Sequence, residues 1–247
     1  MRLCRGEAIR EKSGSTWSAA AGALPLRTGH PKKPDKTRPR LLHSDIIPRM
    51  SEAQTSNTDR RFIVIADTHV GDRVRHLDPR LSEAFSVFQP EAILHAGDIC
   101  VPGVLEELQT IAPVTAVQGN RDWLRRMKLP KEQRFEINGI RVVLTHGHVS
   151  MWHYALNYLR LLVTGRKINV RAFRERLAKL YPAADLIIFG HTHFQLHEII
   201  NGRHFVNPGA AYPHLLNQHR VQYCELIITA AGQILVNKQS LPGEQHV

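Results

Sequence analysis

From residue 62 onward, short apolar runs alternate with helical patterns, and nearly every run stops at a polar or glycine position. Residues 62–66, 92–95 and 114–117 are mostly apolar over four or five positions, the length of a strand buried on both faces. Between them, residues 79–88 and 104–111 repeat apolar side chains three and four apart, which predicts amphipathic helices. Strands alternating with helices predict a parallel α/β sheet. The pattern then changes to hairpins. Asn138-Gly139 separates 134–137 from 140–145, Asn201-Gly202 separates 196–200 from 203–206, and Ala231-Gly232 separates 222–229 from 233–237. With 186–189 as a further buried run, the second half is expected to form a mainly antiparallel sheet packed on the first, with helices outside.

Two other stretches stand apart. Residues 1–58 mix Arg, Lys, Pro, Ser and Gly without apolar periodicity, which predicts a disordered basic tail and a fold that begins near residue 59. Met50 opens a short polar lead into the first strand, so an alternative start there competes with a targeting segment as the reading of what precedes it. Between about 150 and 182, Met151, Trp152, Ala155, Leu156, Leu159, Leu162 and Val163 mark one amphipathic helix, and Val170, Phe173, Leu177 and Leu180 a second. This pair reads as an insert in a catalytic domain spanning 59–247, serving as a lid, a membrane contact or simply two surface helices.

Charge sharpens the picture. The net charge of +11 would suit nucleic acid, anionic membranes or phosphorylated substrates. Residues 1–60 carry 12 Lys and Arg against 6 Asp and Glu, and residues 151–181 carry 7 against 1, so the rest is close to neutral. The excess lies in the tail and the insert. The tail does not interleave aromatics with its basic residues, so stable nucleic-acid binding is not expected. No apolar run reaches the 18 or more residues that cross a bilayer. Three scattered cysteines, Cys4, Cys100 and Cys224, provide no disulfide framework and fit a reducing, cytoplasmic compartment.

The chemistry sits where the strands end. The five buried runs lead into Asp67-Thr68-His69, Gly97-Asp98, Gly119-Asn120-Arg121-Asp122, His146-Gly147-His148 and Gly190-His191-Thr192-His193. In open α/β sheets, groups beyond the carboxyl ends of strands converge on one crevice. Asp67, His69, Asp98, Asn120, His146, His191 and His193 offer only oxygen and nitrogen donors, which suits Mn, Fe, Zn, Co or Ni at a hydrolytic centre. One ion would not need seven donors. Two ions about 3.5–4 Å apart, sharing a carboxylate, would use them for in-line displacement at phosphorus.

At these residues the chain resembles the calcineurin-like metallophosphoesterase superfamily and, within it, the small YfcE-type phosphodiesterases. The blocks that carry the resemblance are Asp67-x-His69, Gly97-Asp98, Gly119-Asn120-x-Asp122, His146-Gly147-His148, Gly190-His191-Thr192-His193 and Asn207-Pro208-Gly209, over residues 61 to about 240. The resemblance implies an α/β (α+β) fold of four layers, two mixed β-sheets back to back with helices outside. It also implies that Asp67, His69 and His193 hold one divalent ion, Asn120, His146 and His191 the other, with Asp98 bridging. Mn²⁺ leads among the candidate ions, with Fe, Zn, Co, Ni and Mg as alternatives. The implied reaction is hydrolysis of a P–O bond by a hydroxide shared between the ions.

Departures from the family pattern shape the rest. Where the phosphatase branch has a histidine that donates a proton, this chain has Arg121, which stays protonated; it either holds phosphate oxygens or lies in a surface ion pair. Its arginine fork favours substrates with a good leaving group, and His148 is the remaining candidate proton donor. Asp122 is expected to orient a ligand imidazole. Ala210 stands where the family often has serine. The expected substrate is a phosphodiester, with a nucleotide-like group or a lipid headgroup as variants and a homo-oligomer left open. A UDP-2,3-diacylglucosamine pyrophosphate hydrolase and a non-catalytic scaffold of the same fold are the competing readings.

Overall fold

In the computed structural model, residues 57–147 and 170–242 are described. The tail read over 1–58 falls outside them except for its last two positions, and so do the first insert helix and His148. In chain order the strands are β1 (Arg60–Ile65), β2 (Ala92–His95), β3 (Val114–Ala116), β4 (Glu132–Ile137), β5 (Ile140–Thr145), β6 (Leu186–Phe189), β7 (Leu196–Ile200), β8 (Arg203–Asn207), β9 (Val221–Ile228) and β10 (Ile234–Leu241). The helices are α1 (Pro79–Phe88), α2 (Pro102–Gln109), α3 (Asn120–Leu124) and α4 (Val170–Leu180).

The strands form two five-stranded sheets, ordered β10-β9-β1-β2-β3 and β4-β5-β6-β8-β7. Both are mixed. In the first, β1, β2 and β3 run parallel while β9 pairs antiparallel with β1 and with β10. In the second, β5, β6 and β8 run parallel, flanked by the antiparallel strands β4 and β7. This corrects the residue-pattern expectation of a mainly antiparallel second sheet. The 222–229/233–237 hairpin leaves its neighbours in sequence and joins the first sheet, where β9 lies against β1. Hairpin turns report local pairing; they do not report which edge a finished hairpin will join.

The strands read as continuous apolar runs because each is covered on both faces. In β1, Phe62 and Val64 point between the sheets, with Leu94, Val142, Leu144, Leu186, Ile188, Val206 and Leu226. Ile63 and Ile65 point the other way, under Leu81 and Phe85 of α1 and Leu105 and Leu108 of α2. On the far side, Val143, Ile187, Phe189 and Phe205 pack under Leu177 of α4 and Tyr181. The layers are therefore helix, sheet, sheet, helix. The helices begin where the sequence marks them: Pro79 follows Asp78, whose carboxylate accepts the Arg80 amide at 3.0 Å, and Pro102 opens α2. No helix among the described residues is long and apolar enough to cross a membrane.

One side chain couples the two sheets at the end away from the candidate metal donors. Asn138, in the β4–β5 turn at φ 47°, donates its side-chain amide to the carbonyls of Thr58, Ile228 and Thr229 at 3.0–3.2 Å. These lie beside the start of β1 and the end of β9 in the other sheet. Replacing Asn138 by Asp keeps the turn preference but sets oxygens against three carbonyls, and should cost about 2 kcal/mol. Urea unfolding of N138D checks this, with N138G as the control that frees the turn while removing the donors.

Candidate metal centre

The parallel strands bring their carboxyl ends to one edge of the two sheets, and the polar blocks gather there. Asp67 follows β1, Asp98 follows β2, Asn120 opens α3 after β3, His146 follows β5, and His191 and His193 follow β6. All seven candidate donors meet in one cluster. Asp67, Asp98, Asn120, His69 and His146 are buried, and His191 and His193 are partly so.

The backbone bends sharply to achieve this. Asp67, His69, Asp98, Cys100, His191 and His193 all adopt left-handed φ between 48° and 75°, at roughly 1–2 kcal/mol apiece for an L-residue. Asp122 holds the tightest bend. Its Oδ2 accepts the amides of Asp98 and Gly119 at 2.9 and 2.8 Å, and its Oδ1 those of Ile99 and Cys100 at 2.9 and 2.7 Å. The expectation that Asp122 orients an imidazole is thereby corrected. A buried carboxylate facing four amide protons has no lone pair directed to a ring, and its work is to fasten the turn after β2 to the turn after β3. Gly119 lets the turns touch, since a Cβ there would lie 2.1 Å from Asp98 Oδ1 and 2.3 Å from its amide.

Around the cluster the donor atoms face one another. Asp67 Oδ2 accepts the His191 amide at 3.0 Å, while Oδ1 is buried without a hydrogen bond, 3.3 Å from His193 Nε2 and 3.9 Å from His69 Nε2. His69 Nε2 is likewise buried and unbonded. Asp98 Oδ1 accepts the Arg121 amide at 2.8 Å, and Oδ2 lies 3.6 Å from both His69 Nε2 and His146 Nε2. His146 Nδ1 donates to the Ala96 carbonyl at 2.7 Å, turning Nε2 toward Asn120 Oδ1 at 3.1 Å; His191 Nδ1 is 3.2 Å from the same oxygen. Lone pairs aimed at each other at such distances need a proton or a cation between them. The donor set therefore fits divalent metal.

Electrostatics agree. Burial would raise the Asp67 carboxyl, but the His193, His146 and His69 imidazoles outweigh it and hold the group well below the usual carboxylate range. Burial pushes Asp98 up to about 6, against the pull of His146. Burial takes His69 down to about 4 despite Asp67. For His146 and His193 burial works downward, yet the facing carboxylates, Asp98 with Asp67 and Asp67 respectively, carry them above the ordinary imidazole value. A cation must displace the protons these rings retain, so acid weakens its binding.

Several groups support the cluster, and two of them, Asp72 and Tyr212, were not singled out from the sequence. Asp72 Oδ2 lies 3.2 Å from His69 Nδ1 and fixes the ring from behind. Tyr212 packs edge-on against His69 and His193 at 5.1 and 5.8 Å between centroids, and Phe173 of α4 stacks near His191 at 5.8 Å. The Asn207 amide donates to the Gly190 carbonyl and Thr192 hydroxyl, which explains the Asn207-Pro208-Gly209 block: it braces the loop that carries His191 and His193. Asp72 lies only three residues after His69 but belongs to none of the sequence blocks, and Tyr212 meets its imidazole partners from a distant part of the chain. Arg121 lies beside the cluster with its Nε 3.8 Å from Asp72 Oδ2 and its side chain 29% exposed. The ion-pair alternative is what is seen, but on a half-buried residue next to His69.

Donors of this kind at the strand tips of a doubly layered sheet make a candidate site for divalent metal. Residues 61–230 match the calcineurin-like phosphoesterase superfamily domain, and the chain belongs to that superfamily of metal-dependent phosphoesterases. A relative described as a "probable metallophosphoesterase" from Methanothermobacter thermautotrophicus is 36% identical over 147 residues, 60% of this chain and 74% of that protein. A similar protein from Mycoplasma pneumoniae, described in the same words, is 28% identical over 151 residues, 61% of this chain and 78% of that one. Among solved structures, vacuolar protein sorting 29 from Cryptosporidium parvum shares the fold at 17% identity and a TM-score of 0.56, covering 75% of this chain and 99% of its own. Vps29 from Entamoeba histolytica, solved with Zn²⁺, aligns at 20% identity and 0.53 over 73% of this chain and 98% of its own.

Buried His95 supplies a pH signature. Its Nδ1 accepts the Gly97 amide at 3.2 Å, and burial, outweighing the pull of Asp67, drives its pKa down to about 3. The unfolded chain takes up this proton below about pH 6.5 and the folded chain only near 3, so stability is lost as pH falls through that window. Between pH 7.5 and 5.0 the metal-free protein should lose about 2 kcal/mol more than His95→Gln does, as read by urea unfolding at both pH values.

Proposed function

We propose that the protein is a phosphodiesterase that works with two divalent ions. The observation that carries this reading is Asp98 Oδ2, buried and 3.6 Å from one imidazole of each half of the cluster. On this reading Asp67, His69 and His193 hold one ion, Asn120, His146 and His191 the other, and Asp98 spans them. When bound, such ions acidify water and offset the charge that builds on a phosphoryl group. Arg121 leaves Asp72 to hold phosphoryl oxygens, with its own amide anchored on Asp98. Arg121 cannot give up a proton, so diesters with good leaving groups are the natural substrates. His148 is proposed as the donor to poorer ones. The catalytic domain is taken as 59–247, the insert as about 150–182.

The scaffold alternative is disfavoured by the economy of the fold. A binding surface needs neither buried unbonded donors nor six left-handed residues around them, and both are costly to keep.

Reconstitution with Mn²⁺ should give two ions per chain, measured by elemental analysis, and hydrolysis of bis(p-nitrophenyl) phosphate that chelation abolishes. Asp98→Ala should lose this turnover together with at least one ion; near-normal turnover in that variant overturns the assignment. Arg121→Ala should keep two ions yet lower kcat/KM by about 2–3 kcal/mol in transition-state stabilisation. A change within experimental error would remove Arg121 from the reaction.

A further inference from the structure

The carboxylate behind His69 is overcrowded with positive charge. Asp72 Oδ2 lies 3.6 Å from Arg73 Nε and 3.8 Å from Arg121 Nε, and Oδ1 lies 3.9 Å from an Arg125 terminal nitrogen. Arg125 also donates to the Gly71 carbonyl at 2.5 Å, which ties α3's end to the loop carrying Asp72. Three guanidiniums thus share one carboxylate, and no other Asp or Glu among the described residues is within ion-pair distance of any of them. The distances are loose. None of the three arginines makes a hydrogen bond to Asp72 comparable with the bidentate pair that Arg141 makes with Asp185 at 2.8 and 2.7 Å.

Position matters as much as charge. His69 presents Nε2 to Asp67 and Asp98 and Nδ1 to Asp72, so Asp72 stands on the opposite side of one imidazole ring from those two carboxylates, and the three guanidiniums gather around it. They remain accessible, with the Arg73 side chain 55% and the Arg125 side chain 38% exposed. Arginine forks match phosphoryl oxygens in geometry and stay charged at every relevant pH. An excess of two positive charges calls for two negative ones. A simple diester brings a single charge, which Arg121 alone meets.

We infer that Arg73 and Arg125, gathered with Arg121 over Asp72, bind a second phosphoryl group of the substrate, one that is not cleaved. The inference rests on the phosphodiesterase reading and narrows it to substrates with at least two phosphoryl groups. Asp72 serves as a resident counter-ion. It holds the three guanidiniums side by side while the site is empty and yields them to the stronger anion on binding. The second group sits either next to the scissile one, as in a diphosphate, or elsewhere on the same substrate as a monoester; the chemistry of recognition is shared.

Three probes test this with Mn²⁺-loaded protein: the p-nitrophenyl ester of thymidine 5′-monophosphate, the same ester carrying a 3′-phosphate, and the p-nitrophenyl ester of thymidine 5′-diphosphate. At least one doubly phosphorylated ester should exceed the first in kcat/KM by about tenfold, mainly through KM, and which one does so identifies the source of the group. The Arg73→Ala/Arg125→Ala double variant should collapse that ratio to near one. Equal kcat/KM for all three probes, or a ratio that survives in the double variant, overturns the inference while leaving the phosphodiesterase reading in place. If no ester is hydrolysed, that reading fails instead. Calorimetry then decides the inference: thymidine 5′-diphosphate or 3′,5′-bisphosphate should bind about tenfold tighter than thymidine 5′-monophosphate to the parent and no tighter to the double variant.

Discussion

Four amide protons converging on the Asp122 carboxylate set the geometry on which the site depends. Without that anchor, the turn after β2 would have no reason to keep Asp98 and Cys100 in left-handed conformations, and Gly119 would have nothing to lie against. The interaction is strong because it is charged, buried and satisfied on every lone pair. It also spans two strand ends that are 24 residues apart in sequence, so one side chain converts separate loops into one rigid floor. Asp98, fixed at its amide by Asp122 and at Oδ1 by the Arg121 amide, is left with a single oxygen to direct at the imidazoles.

The walls above that floor come from the second sheet. His146 Nδ1 donates across to the Ala96 carbonyl and the His191 amide donates to Asp67 Oδ2, so both hydrogen bonds run from the second sheet's loops to acceptors at the tips of the first. Six left-handed residues and two buried side-chain atoms without a hydrogen bond, Asp67 Oδ1 and His69 Nε2, gather at this one cluster. Such a distribution is expected where structure has been shaped for a ligand and is held in place by packing elsewhere.

The sequence made the strands, the hairpin turns and the seven donors legible, because buried strands are apolar throughout and polar residues at their ends are conspicuous. Family resemblance added the two mixed sheets, which periodicity alone misjudged: the 222–229/233–237 hairpin looked like its predecessors, yet β9 finds its partner in β1, some 160 residues away. The five-residue α3 is too short to show a helical period. Asp122 was visible but misread, since a carboxylate three positions after a glycine gives no hint that amides from another loop will surround it. Asp72 and its arginines were invisible as a group because their meaning lies in sharing one site in space.

The pairing of β9 with β1 has a consequence for biosynthesis. β1 emerges early and takes β2 as one neighbour at once, but its other neighbour is β9, some 160 residues later. Until residue 228 has left the ribosome, one edge of β1 is open, with apolar Ile63 and Phe62 beside unpaired backbone groups. A nascent or prematurely terminated chain therefore presents a template for intermolecular strand addition, and completion of the sheet is a late, long-range event in folding. Chaperone dependence and the fate of truncated products should follow the presence of β9, residues 221–228, more closely than that of the metal-centre blocks.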